Sequence, residues 1–250
     1  MSKERYPITD REISMLRDKF GSDCDIEAFR RRLDDGEPLA YILGEWYFWD
    51  EEYTVTPDVL IPRADTEHVV EAAIKRLDGG GSLCDLCCGS GCIGISTLCH
   101  TSKTTCLSCD ISSAALDITR ENAERNGVSG RLTTRCIDVL DRNALALLGS
   151  FDAVTSNPPY IRTDVIPTLE TVKREPVLAL DGGSDGLVFY RALVSAFDLL
   201  VKAGGVMLLE IGFDQGNDLR QLCREAGLGC VIKKDYSQND RVAVISRTDP

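Results

Sequence analysis

The feature that most restricts the fold is an alternation that begins at Ser82. Short apolar runs at 82–87, 104–110, 132–138, 151–157 and 205–212 read as strands. Between or after them, helical patterns fall near 92–100, 112–126, 187–203 and 215–226. Repeated strand-then-helix units close into a parallel sheet with helices on both faces. The last two β-prone runs, Cys230 to Tyr236 and Arg241 to Ser246, are joined only by Ser237-Gln238-Asn239-Asp240. So short a connection makes them an antiparallel pair at one edge. The expected class is α/β: a mostly parallel, seven-stranded sheet with an antiparallel C-terminal edge pair.

Ahead of this unit lies a smaller one. Thr9-x-x-Glu12 fits a capping box, with Ile13, Leu16 and Phe20 on one helix face. A second helix carries Ile26, Phe29 and Leu33 and is ended by Gly36 and Pro38. Forty residues cannot bury a useful core alone, so this piece must dock on something. Tyr41 to Trp49 holds both tryptophans and two of the seven tyrosines. With Asp50-Glu51-Glu52 as a polar turn and Tyr53 to Thr56 as a second β-prone run, the segment reads as a hairpin. Its aromatics either fasten the helical piece to the main domain or meet a substrate; both can hold. Leu60 to Glu67 then leads into a helix over Val69 to Leu77, closed by Gly79-Gly80-Gly81. The division expected is 1–40 helical, 41–64 hairpin and linker, and 65–250 the α/β domain.

Bulk chemistry narrows the function. With 250 residues, 43% hydrophobic and 27% charged, the chain suits one large domain plus an appendage. The net charge of −12 repels phosphate backbones, which disfavours nucleic acid as a partner. Eleven cysteines, mostly inside apolar runs, read as free thiols packed as small hydrophobes. The N-terminal residues, Met1 to Arg11, are polar and do not resemble a signal peptide, and no stretch approaches the ~20 apolar residues of a membrane span. A reducing cytoplasm and a monomer are the simplest expectation.

Two stretches carry chemistry. Asp85-Leu86-Cys87-Cys88-Gly89-Ser90-Gly91-Cys92-Ile93-Gly94 joins the first strand of the alternation to its helix. Glycines there let backbone approach a ligand at the carboxyl edge of the sheet. Gly89-x-Gly91-x-x-Gly94, with Asp110 ending the next strand, matches a dinucleotide fingerprint, so a nicotinamide dehydrogenase has to be considered. A carboxylate at Asp85 would repel a pyrophosphate but suits a cationic amino group and a nearby sulfonium, as in S-adenosylmethionine. Asp110 can take both ribose hydroxyls of either ligand. Asp138-Val139, ending the third strand, is placed to reach an adenine, Asp138 near its exocyclic amine.

The second stretch is Ser156-Asn157-Pro158-Pro159-Tyr160. Two consecutive prolines cannot donate to a ladder, so the strand ends at or just before Asn157, whose own geometry the following proline restricts. The result is a stiff loop with an amide, free carbonyls and an aromatic ring, suited to a small planar nitrogen group. Taken alone it reads more readily as an ordinary proline turn, and the rest of the chain has to change that. Cys84-x-x-Cys87 and Cys106-x-x-Cys109, eighteen residues apart, have zinc-ribbon spacing. Both pairs fall in core strands, where alternate positions face opposite ways, so no metal is expected.

Together the motifs resemble the class I S-adenosylmethionine-dependent methyltransferases, most closely the peptide chain release factor N5-glutamine methyltransferases. The resemblance runs from about Tyr41 onward and rests on Tyr41-Ile42-Leu43-Gly44, Leu60-Ile61-Pro62-Arg63-x-Asp65-Thr66-Glu67, Ser156 to Tyr160, Glu175-Pro176-x-x-Ala179-Leu180 and Asp235-Tyr236-x-x-Asn239-Asp240-Arg241-Val242. It implies a Rossmann-like sheet and methylation of the glutamine in the Gly-Gly-Gln loop of release factors. It also implies roles. Cys87, Cys88, Gly89, Ser90 and Gly91 would hold the methionine part of the donor, Asp110 the ribose, and Asp138 and Val139 the adenine. Asn157, Pro158, Pro159 and Tyr160 would hold the substrate glutamine, and residues 1–40 would help recognise the release factor. Cys87 stands where the family has a glycine, which is tolerable if its φ stays negative. Val139 replaces an aromatic found in some members, and the helical N-terminal region is short for the family.

A glutamine amide nitrogen is a poor nucleophile because its lone pair is delocalised. Acceptance of its two N–H bonds by the Asn157 side-chain oxygen and the Pro158 carbonyl would aim it at the methyl group, with Tyr160 packed on the flat amide. Arg63 and Glu67 either shape the pocket or tie the hairpin to the core, the structural role being slightly favoured. The nearest rival is an adenine amino methyltransferase on DNA or RNA, which uses the same loop; the acidic charge and absence of a Lys/Arg run oppose it.

Overall fold

The computed structural model of the protein describes residues 6–247. Three helices come first. α1 (Asp10–Phe20) opens on the expected capping box, Thr9 N donating to Glu12 Oε2 at 2.7 Å and Glu12 N to Thr9 Oγ1 at 3.3 Å. These bonds satisfy two backbone donors that the first turn leaves free. α2 (Ile26–Asp34) is capped by Asp25, which accepts from Ala28 N at 3.0 Å. α3 (Leu39–Leu43) occupies the stretch read as the start of the hairpin; Pro38 precedes it and Gly44 ends it in a left-handed turn. Leu16, Leu33, Ile42 and Leu43 make a small core of their own.

The hairpin is shorter than its sequence pattern, β1 (Glu45–Phe48) pairing with β2 (Glu51–Thr54). Its aromatics join the two parts of the chain. Trp46 packs against both the small core and the main one. Phe48 and Tyr53 are buried in the main core, and the Tyr53 hydroxyl lies 2.7 Å from Ser96 Oγ. Glu67 accepts from Trp49 N at 3.3 Å, which is the tie expected of it. Only Tyr47 among these rings is well exposed.

The main domain runs α4 (Glu67–Arg76), β3 (Gly81–Leu86), α5 (Cys92–Cys99), β4 (Thr104–Asp110), α6 (Ser113–Arg125), β5 (Leu132–Cys136), α7 (Arg142–Ala146) and β6 (Phe151–Ser156). It continues with α8 (Val188–Ser195), α9 (Phe197–Leu200), β7 (Val201–Glu210), α10 (Gly216–Glu225), β8 (Gly229–Lys234) and β9 (Asp240–Ser246). The strands form one sheet in the order β5-β4-β3-β6-β7-β9-β8. Neighbours are parallel as far as β7, and β9 runs antiparallel to both β7 and β8. Strand alternation divides the core between the two faces. Leu83, Ala153 and Leu208 pack with the hairpin, α4 and α5. Cys84, Leu86, Val154, Met207 and Leu209 pack on the other side with α8 and α10. Burial on both faces is why the central strands read as continuous apolar runs.

Three differences from the sequence reading have physical reasons. The helix expected over 187–203 stops at Leu200, because Val201 already pairs with Phe151 of β6; an apolar run alone does not distinguish helix from strand. The C-terminal pair is antiparallel, but its second strand is inserted beside β7, so β8 is the edge. Val242 to Ile245 are buried, whereas β8 is largely open to solvent and ends in Lys233 and Lys234, charges that blunt an edge. The third difference is at Cys87, whose φ is +56° and not negative. The chain must leave β3 and enter α5 within Cys87–Gly91, and it does so with Cys87, Gly89 and Gly91 all left-handed.

A non-glycine residue in that region pays about 1–2 kcal/mol. Cys87→Gly should therefore be more stable than Cys87→Ala by about 1 kcal/mol in urea denaturation, since both lose the thiol and only glycine relieves the backbone. Equal stabilities, or the reverse order, would contradict the left-handed geometry.

Candidate active site

The strand order reverses between β3 and β6, so the loops leaving these neighbours diverge and open a crevice at their carboxyl ends. Leu86 and Ser156 are register partners there, and Ser156 Oγ donates to Leu86 O at 2.7 Å. Above them is a cavity of about 330 Å³. The glycine loop, the ends of β4 and β5, Asn157, and the residues Pro57 to Leu60 with Pro62 and Arg63 line it.

Asp110 holds the glycine loop in place. One carboxylate oxygen accepts from Gly89 N at 2.9 Å and the other from Ser112 N at 3.0 Å. Burial raises its pKa, and these backbone bonds oppose that. Cys87, Cys88, Gly89 and Ser90 line the cavity, and a Cβ built on Gly89 would meet no atom within 4 Å. The loop therefore presents bare backbone to open space. Gly91 does not line the cavity. It sits beneath the loop, where a Cβ would come within 2.8 Å of Thr119 Cγ2.

Asp85 also falls short of the cavity, contrary to the direct ligand contact expected of it. Its side chain is fully buried, accepting from Thr155 Oγ1 at 2.9 Å and Gly94 N at 3.2 Å. Its oxygens are taken by β6 and α5, and burial pushes its pKa up to about 7. It supports the loop from below.

On the far wall, Asp138 and Val139 lie just beyond β5, which ends at Cys136. Asp138 accepts from Leu140 N at 2.8 Å, a turn that fixes the pair. Three carboxylates, Asp58, Asp110 and Asp138, line the cavity, against one cation, Arg63. Arg63 is already paired with the buried Glu175, which also accepts from Ile61 N at 3.3 Å. Such a lining fits a cationic ligand with a diol and a planar base, and opposes a pyrophosphate. The zinc-ribbon cysteines do not converge: Cys106 packs on one face of the sheet and Cys84 and Cys109 on the other.

Asn157 stands in the wall shared with a second cavity of about 130 Å³, lined also by Tyr160, Ile161, Leu180 and Glu210. Asn157 Nδ2 donates to Thr66 Oγ1 at 3.2 Å. Its Oδ1 makes no hydrogen bond among the described residues. Tyr160 lines only the smaller cavity, Pro159 only the larger, and Pro158 neither. The Tyr160 hydroxyl donates to Glu210 Oε1 at 3.3 Å, and its carbonyl accepts from Gln215 Nε2 at 3.1 Å. Gly182 and Gly186 let the returning chain press on this loop: a Cβ on either would lie 2.7 Å and 2.5 Å from Tyr160 backbone atoms. Arg63 lines both cavities, the pocket-shaping alternative of the two roles expected of it. Thr66 and Glu175 were visible only as members of motifs. Glu210 was missed; its one local signal is a lone carboxylate ending the apolar run Val206–Leu209.

The family model for the Methyltransferase small domain matches residues 66–174. A release factor glutamine methyltransferase of Moorella thermoacetica is 41% identical over 221 residues, covering 86% of this chain and 76% of that one. One of Clostridium acetobutylicum is 34% identical over 253 residues, covering 99% and 87%. Among solved structures, a ribosomal protein L11 methylase of Lactobacillus delbrueckii subsp. bulgaricus superimposes with a TM-score of 0.56 at 18% identity, over 81% of this chain and 90% of that one, a likeness of fold. With relatives this similar over most of its length, the chain belongs to the release factor glutamine methyltransferase family.

Proposed function

We propose that the protein transfers the methyl group of S-adenosylmethionine to the side-chain amide nitrogen of the glutamine in the Gly-Gly-Gln motif of peptide chain release factors. The observation that carries this reading is the position of Asn157, in the wall between a large cavity and a small one. The large cavity suits the donor and the small one a planar amide. When bound, the donor supplies an electrophilic methyl carbon on a positively charged sulfur. The backbone of Cys87 to Ser90 would hold its methionine part, Asp110 the ribose hydroxyls, and Asp138 with Val139 the adenine.

Asn157 is prepared for the acceptor. Its Nδ2 is committed to Thr66, which leaves Oδ1 as the acceptor end of the amide. Oδ1 would take one of the two amide N–H bonds, fixing the nitrogen and favouring positive charge on it as the methyl arrives; the Pro158 carbonyl, expected to take the other, lines neither cavity. Tyr160, held at both its hydroxyl and its carbonyl, would pack on the amide plane. The gain is orientation together with preorganised electrostatics. The net charge of −12 suits a protein partner better than DNA or RNA. The partner would be met in the cytoplasm, with α1–α3 contributing to its recognition.

Incubation with labelled S-adenosylmethionine and purified release factors, followed by mass spectrometry, should place one methyl group on the Gly-Gly-Gln glutamine; label on nucleic acid alone would contradict the proposal. Asn157→Ala should slow transfer about 100-fold or more while donor affinity by calorimetry stays within about twofold. Transfer near the wild-type rate would remove Asn157 from the reaction. Asp110→Ala should weaken donor binding about tenfold or more, the value of hydrogen bonds to a charged group. An unchanged Kd would exclude Asp110 from the donor site.

A further inference from the structure

The smaller cavity contains an ionisable group that the transfer described above does not use. Glu210 ends β7, beside the strand that leads to Asn157; Ser156 pairs with Leu209, so Asn157 and Glu210 leave neighbouring strand ends. Its side chain is 1% exposed and lines the cavity with Asn157 and Tyr160. Oε1 accepts from the Tyr160 hydroxyl at 3.3 Å, whereas Oε2 makes no hydrogen bond among the described residues. A buried carboxylate oxygen without a partner is costly and uncommon, and calls for an explanation.

The groups around it do not neutralise it. Arg241 on β9 is shared with Asp65 and Asp235, each at 3.1 Å. Arg63 across the cavity is paired with Glu175. The Tyr190 hydroxyl on α8 donates to the Glu210 backbone carbonyl at 3.0 Å, not to the carboxylate. The Cys92 thiol on α5, raised chiefly by burial, adds no charge. Burial pushes the Glu210 pKa up to about 7, against the lowering influence of Thr66 and Arg241 and alongside the raising influence of Asp65.

We infer that Glu210 is the catalytic residue that takes the proton from the acceptor amide, an inference that rests on the reading of that acceptor as a glutamine side chain. As the nitrogen takes the methyl group, the N–C bond forms and the S–C bond breaks, the sulfur leaving as a neutral thioether. The nitrogen gains a positive charge. The pair of electrons in one N–H bond then stays on nitrogen and the proton passes to the Glu210 carboxylate. The products are a neutral N-methyl amide and a neutral carboxylic acid, which returns its proton to solvent when the substrate leaves. The ionised carboxylate is the competent form, so the rate rises with pH through the Glu210 pKa.

Glu210→Gln keeps the size of the side chain and an oxygen for Tyr160. With a release factor as substrate, the wild-type kcat should rise with pH to a plateau with a midpoint near 7. Glu210→Gln should lower kcat about 100-fold or more at the plateau and flatten the profile between about pH 6 and 8, with donor Kd unchanged. A variant within threefold of wild type, or one that keeps the acid limb, overturns the assignment. Carboxyl ¹³C NMR of the wild-type protein, with no substrate present, supplies a readout that needs no variant: a midpoint near 7 is expected, and one below about 5 overturns it. A wild-type protein that modifies no release factor overturns the reading of the acceptor as well, whereas modification by both proteins at equal rates overturns Glu210 alone.

Discussion

The carboxyl group of Asp85 joins three elements whose relative position sets everything at the site. It receives Thr155 from β6 and Gly94 from α5 while belonging to β3. β3 and β6 are the pair between which the strand order reverses, so their ends define the crevice. The amide of Gly94 lies in the first turn of α5, where backbone donors are free and a carboxyl oxygen is favoured. The position is close-packed: a Cβ on Gly94 would come within 3.0 Å of Cys106 Sγ and 3.3 Å of Asp85 Oδ2. The glycine loop rests on this arrangement, and its left-handed backbone at Cys87, Gly89 and Gly91 is what such a tight entry into α5 requires.

From that support follow two cavities that meet at one side chain. The loops after β3, β4 and β5 wall much of the larger, and the loop after β6 with the end of β7 walls much of the smaller. Asn157 belongs to both because it ends the strand between them. Thr66 fixes which way its amide faces. The long return from Ile161 to Leu187 is fastened against the same loop by the Ile161–Asp181 bridge and by Gly182 and Gly186, so Tyr160 cannot swing freely. Two reactants held on either side of one rigid amide need little further ordering, which is the largest gain available when the nucleophile is weak.

Much of this was legible in the sequence because it is local. The alternation of strands and helices, the turn at Gly89 to Gly91, and the termination of β6 by two prolines all follow from neighbouring residues. The rest depends on contacts between distant ones. Asp85 reads as a ligand group at a strand end; only its pairing with Thr155, seventy residues away, shows it to be consumed by the fold. The insertion of β9 beside β7 is a matter of strand order, which no local pattern encodes. Glu210 lies 53 positions after Asn157, and their proximity comes from two parallel strands in register. Cys87 does not meet the condition of a negative φ for a related reason: its backbone angle is set by the geometry of entry into α5 and not by its own preference.

The central claim is that the acceptor amide lies in the smaller cavity, against the Asn157 side chain, with the donor in the larger one. A crystal structure of the protein with S-adenosylhomocysteine and a Gly-Gly-Gln-containing release factor fragment tests it most directly. The account predicts the glutamine nitrogen within hydrogen-bond distance of Asn157 Oδ1, between Tyr160 and the donor sulfur. A glutamine bound outside the smaller cavity, with Asn157 turned to another partner, would contradict it.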